Sequence, residues 1–147
     1  MDVDKLGKVA GVAKSATQQS ALDFKATQQA HRDKCDQLEQ LQQFKREYEA
    51  QLESMGVQGM AARQLQDYRL FLGKLNQAIE EQTRAIHSAQ QRLGDAREQW
   101  IARTRRSAAL DQAVDHERLR QRQSRDKAEQ READEKSLAR SSGSYDL

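Results

Sequence analysis

Proline is absent from all 147 residues, and glycine occurs only 7 times. Without proline the chain carries no rigid extended linker and no fixed helix break. Aromatic residues make up 5% and hydrophobic residues 36%, too little to bury a sizeable compact core. Cys35 is the single cysteine, which excludes an intramolecular disulfide and favours a reducing compartment. No apolar run is long enough to cross a bilayer, and the opening "MDVDKLGKVAGVAK" has acids where a secretory signal needs bases, so a cytoplasmic protein is expected. No phosphate-binding glycine loop, HExxH or nucleophile elbow is present, and neither an enzyme nor a cofactor is expected.

What remains is rich in Gln, Ala, Leu, Arg, Glu and Lys, the better helix formers. Charged residues account for 33%, and 25 basic against 23 acidic side chains leave a net charge of +2. This mixture describes long solvated helices rather than a disordered chain. An all-α fold is therefore expected.

The second half repeats apolar residues with heptad spacing. Leu65, Leu72, Ile79, Ile86, Leu93, Trp100, Ser107 and Val114 alternate with Tyr68, Leu75, Gln82, Ala89, Ala96, Arg103 and Leu110. Only Gln82, Arg103 and Ser107 interrupt this 3-4 stripe, which predicts a coiled-coil seam. The first half carries a weaker stripe through Phe24, Thr27, His31, Lys34, Leu38, Leu41, Lys45, Tyr48, Leu52 and Met55, thinning toward the N-terminus to Leu6, Val9, Ala13 and Ala16.

Between the stripes, "SMGVQGMA" is the one good interior turn signal. Gly56 can end the first helix in a left-handed conformation, and Gly59 can open the second. Folding back there predicts a long antiparallel two-helix hairpin over about residues 1–140, with helices over about 5–55 and 62–136 joined at about 56–61, and a disordered tail at 141–147. Partner residue numbers should add to about 117, which sets Leu41 opposite the Leu75 region and places Phe44 near Gly73. On this pairing Val114 meets about residue 3, where the partner helix runs out. Beyond it a charged helix end should protrude, supported by pairs four apart at Arg122–Asp126, Arg125–Glu129, Arg131–Glu135 and Glu132–Lys136.

Three features offer binding chemistry. His31 and Cys35 lie four apart, and the hairpin brings His87 near them, giving three of the four ligands zinc takes. With the fourth missing, a polar flank is the simpler reading, and no metal is expected. "RTRR" at 103–106 and "RLRQRQSR" at 118–125 form a basic cluster interrupted by Asp111, Asp115 and Glu117. It lacks the aromatics that stack on single-stranded bases, so an acidic protein surface suits it at least as well as nucleic acid. Leu70 and Phe71 are apolar yet superfluous to the seam: Phe71 should flank it partly exposed, and Leu70 should be more exposed still.

"LEQLQQFKREYEAQL", the glycine-bearing turn and "LQDYRLFLGKLNQAIEEQ" together resemble the signature region of the flagellar export protein FliJ family. The ordered set Leu38, Leu41, Phe44, Tyr48, Tyr68, Phe71, Leu75 and Ile79 carries the likeness. The resemblance implies a soluble, stalk-like component of the flagellar type III export apparatus. Its implied partners are the hexameric export ATPase, the cytoplasmic domain of the membrane export gate and the substrate chaperones. It further implies a place at the cytoplasmic face of the inner membrane, with no membrane insertion and no nucleic acid. Carried over by position, the gate patch would be Phe71, Leu75, Ala78 and Gln82, Gln82 standing where some relatives have another polar residue. Arg118, Arg120, Arg122 and Arg125 are the candidate contacts to the ATPase. The alternative is a coiled-coil spacer or scaffold or, with less support, a basic helix pair on nucleic acid.

Overall fold

Long helix-forming tracts with no proline to interrupt them give two α-helices, α1 over Val3–Met55 and α2 over Ala62–Gly143. The computed structural model describes residues 2–56, 59 and 61–143. The fold is an all-α helical hairpin.

Gly56 ends α1 with φ of 71°, the left-handed conformation that its lack of a side chain permits. Its N–H is shared between the carbonyls of Leu52 at 3.2 Å and Glu53 at 3.3 Å. Gly59 donates back to the Gly56 carbonyl at 3.2 Å, so it belongs to the turn and does not open α2 as expected. Ala61 takes that part. Its carbonyl accepts the Leu65 N–H at 3.1 Å and its own N–H donates to Gln64 Oε1 at 3.4 Å, one half of a capping box. Val57, Gln58 and Met60, also assigned to the turn, lie outside the described residues.

Both outer helix ends run further than the sequence suggests. α1 starts at Val3, with the Leu6 N–H donating to the Asp2 carbonyl at 2.9 Å, and α2 continues past residue 136 to Gly143. Ser141–Gly143 are thus helical where a tail was expected, and the rest of that tail, 144–147, lies outside the described residues.

Contacts divide the hairpin into two units, Met1–Gln18 with Ala102–Leu147, and Gln19–Ile101. In the second, antiparallel pairing sets Tyr48 against Tyr68 and the Lys34 carbonyl against Gln82, pairs whose numbers both add to 116. Phe24 stacks on Trp100 with ring centroids 5.6 Å apart and planes within 7°. Every seam position of α2 from Leu65 to Trp100 is buried or half-buried, Tyr68, Leu75 and Ala89 most deeply. From α1 the residues Phe24 to Leu52 meet them as the stripe predicts, whereas Met55 turns out to solvent. Ser20 is the most deeply buried side chain of this unit. A hydroxymethyl group at that position leaves room for close helix approach.

In the first unit the α1 seam differs from the expected one. The inward residues are Val3, Leu6, Ala10, Ala13, Ala16 and Thr17, so of the expected stripe Leu6, Ala13 and Ala16 hold while Val9 faces outward and Ala10 takes the buried position. Steps of 3 and 4 counted back from Phe24 arrive at Ala10 and Thr17, and the helix keeps that phase although Val9 would bury more apolar surface. The Thr17 hydroxyl donates to Ala13 and across the seam to Arg103, 3.0 Å to each carbonyl. Arg103 answers with Nη1 toward the Ala16 carbonyl at 3.4 Å. On α2 the seam closes with buried Ser107 and Val114, and beyond Leu119 to Gly143 every side chain is exposed. None of the four expected ion pairs of that segment closes to contact distance among the described residues. The pair that forms there is Arg120 with Glu117 at 3.6 Å.

Two further expectations are settled by the packing. Phe44 does not pack on Gly73, where an added Cβ would meet open space; its ring turns to Phe71 instead. Phe71 does flank the seam at 38% exposure, and Leu70 is more open at 61%.

Candidate functional site

An aromatic cluster forms beside the turn because four rings fall within reach on the two helices. Tyr48 from α1 and Tyr68 from α2 stack with centroids 4.7 Å apart and planes within 5°. Phe71 leans on Tyr48 at 4.5 Å and meets Phe44 edge-on at 6.1 Å, an arrangement favoured by the ring quadrupoles. Tyr68 is buried and Phe44 half exposed, so the cluster is rooted in the seam and opens to solvent at its Phe44–Phe71 edge. A shallow groove of about 450 Å³ continues from it between Tyr48, Leu52, Met55, Gln64, Tyr68 and Phe71.

Of the four residues carried over as a gate patch, Phe71 presents the most apolar surface. Leu75 is buried in the seam at 7% exposure and supports the surface rather than forming it. Ala78 is half-buried, one helical turn beyond Leu75. Gln82 spends its amide within the hairpin, donating to the Lys34 carbonyl at 2.8 Å and to Gln37 Oε1 at 3.1 Å. Leu70 and Met55, at 61% and 62% exposure, extend the apolar surface beyond the four. Leu38 and Leu41 lie half-buried in the seam.

The Tyr68 hydroxyl is buried without a hydrogen-bond partner. Burial, then the Glu49 carboxylate and Tyr48, push its phenol above the ordinary value, because each disfavours a phenolate there. Periodicity placed Tyr68 in the seam, but no sequence signal distinguishes a sealed hydroxyl from one that reaches water.

The basic residues on the α2 extension do not all lie on one face. Arg118, Arg122 and Arg125, spaced by four and three, share a shallow groove with Val3, whereas Arg120 is held by Glu117. All four are exposed. On α1, His31 Nε2 and Cys35 Sγ approach to 3.8 Å and His87 is exposed. Among the described residues no group of three His, Cys, Asp or Glu side chains is arranged to hold a metal ion. No helix among them is long and apolar enough to cross a membrane.

The model of the family described as flagellar FliJ protein matches residues 1–144. No curated protein and no solved structure matches the chain. The family match spans both helices and the turn, including the aromatic cluster on which the sequence resemblance rests, and members of this family are non-catalytic parts of the flagellar export machinery. The chain therefore belongs to the flagellar FliJ family and is a component of the flagellar protein export apparatus.

Proposed function

We propose that this chain is the stalk-like coupling component of the export apparatus, a cytoplasmic protein that joins the hexameric export ATPase to the cytoplasmic domain of the export gate and assists chaperone cycling. It works at the inner face of the membrane through its partners, without insertion. The observation that carries the reading is the Phe71 ring, held by Tyr48 and Phe44 yet 38% exposed beside the open Leu70. A ring fixed by neighbours and left accessible loses little conformational entropy on docking, which suits a binding hot spot. Ala78 extends the contact, Leu75 supports it from beneath, and Gln82 holds the adjoining turn of α2 against α1. The ATPase contact is assigned to Arg118, Arg122 and Arg125, with Arg120 on a different side of the helix.

The test is calorimetric titration of the purified gate domain with Phe71→Ala and Phe71→Leu variants. Phe71→Ala should weaken binding by about 2 kcal/mol, and Phe71→Leu should recover part of the loss. Unchanged affinity in a Phe71→Ala variant of normal helicity would remove Phe71 from the interface.

A further inference from the structure

The thin end of the α1 stripe contains two valines that the seam does not use. Val9 is 39% and Val12 71% exposed, while Ala10 and Ala13 take the inward positions. Val9, Val12, Ala13 and Ala16 line an open groove of about 460 Å³, bordered by Lys8, Arg103 and Arg106.

The charge around this groove has one sign. Residues 5–18 of α1 contain Lys5, Lys8 and Lys14 with no carboxylate, and residues 102–110 of α2 contain Arg103, Arg105 and Arg106 with none either. The contacts between Thr17 or Ala16 and Arg103 bring the two stretches side by side. Neither Lys8 nor Arg106 has an ion-pair partner among the described residues. The balanced net charge of the chain thus conceals a local apolar strip surrounded by cations.

We propose that this groove is a docking surface for an amphipathic helix of a partner protein, with aliphatic residues on one face and carboxylates along its edges. The exposed Val9 and Val12 and the half-buried Ala16 recur at the helical spacing that a third helix lying along the hairpin would match. Lys8 and Arg106 stand where such a helix would carry Glu or Asp. Polyanions such as nucleic acid or anionic lipid headgroups would meet the cations but leave the exposed valines without a role, and no aromatic residue lines the groove for base stacking. The proposal involves none of the residues assigned to the gate or the ATPase above and does not rest on those roles.

The experiment uses the full chain and a fluorescein-labelled synthetic helix of about five turns, roughly 18 residues, with a Leu/Ala face flanked by Glu, read by anisotropy at low salt. A second peptide has Gln at every Glu position, and a short DNA duplex and phosphatidylglycerol vesicles serve as competing probes. The acidic peptide should bind at least about tenfold more tightly than its Gln counterpart, and both Val12→Asp and Lys8→Glu/Arg106→Glu should each cost at least about tenfold. These positions are exposed, so helicity should persist, and the comparison of peptides on the unaltered chain stands without any variant. No binding of the acidic peptide, or binding indifferent to Val12→Asp, would overturn the proposal. So would DNA or vesicles binding more tightly than the peptide in a manner that depends on the cations but not on Val12.

Discussion

A phenol hydroxyl sealed in a seam without a partner is less favourable than one that reaches water, because it gives up hydration and gains no bond in exchange. Tyr68 accepts that cost while its ring gains the stack on Tyr48, which Phe71 in turn contacts. Removing only the hydroxyl should therefore help: Tyr68→Phe should raise the urea midpoint while leaving helicity unchanged. The pH dependence follows from the same burial. A phenol raised above its unfolded value is favoured in its neutral form in the hairpin, so its contribution is fully present below the unfolded value of about 10 and is lost as pH rises through the higher folded value. Between about pH 9 and 11 the urea midpoint of the unaltered chain should fall more than that of Tyr68→Phe, and parallel falls would show that Tyr68 does not govern the alkaline limb. The seam position of Tyr68 and the exposure of Leu70 and Phe71 were legible in the sequence from spacing alone. The orphaned hydroxyl was not, because it depends on which atoms of the facing helix surround the ring tip.

Glycine within a helix carries an entropic cost that a methyl group removes wherever space allows. At Gly73 an added Cβ meets nothing within 4 Å, so Gly73→Ala should stabilise α2 by about 0.5–1 kcal/mol. At Gly56 there is equal space, but φ is 71°, and Gly56→Ala should destabilise by about 1–2 kcal/mol. Thermal melts of the two variants moving in opposite directions would confirm that conformation, not room, separates these sites. The polar intrusions of the α2 stripe obey a related logic. Gln82 and Arg103 each reach a carbonyl of α1, so each offsets its own burial and marks a register. Gln82→Leu should melt higher yet self-associate more in sedimentation velocity, because an uninterrupted apolar seam accepts other registers and other copies. The α2 seam could be read from heptads because its large apolar residues and its geometric phase coincide. In early α1 they diverge: Val9 offers more apolar area, but the phase set by the stripe from Phe24 onward turns Ala10 inward.

Among the described residues the deep apolar burial of α2 ends at Val114; Val3 of α1 still borders the groove of Arg118, Arg122 and Arg125, but from Arg118 to Gly143 every side chain is exposed. Truncation after Glu117 should leave the melting temperature nearly unchanged while lowering total helicity, since the side chains of residues 118–143 are all exposed. If Arg118, Arg122 and Arg125 are the ATPase contact, the truncated protein should also lose most of its affinity for the ATPase. A large fall in melting temperature would instead reveal a structural role for the extension. The sequence by itself determined the fold class, the turn, the α2 seam and the family, because helix propensity, a 3-4 period and a left-handed glycine are local or periodic properties written along one chain. Only the tertiary structure decided which residues of early α1 face inward, that Phe44 meets Phe71 rather than Gly73, that Leu75 is hidden while Phe71 is shown, and that Lys8 and Arg106 border one apolar groove. Each of these depends on the relative phase and distance of two facing helices, a quantity that neither helix encodes alone.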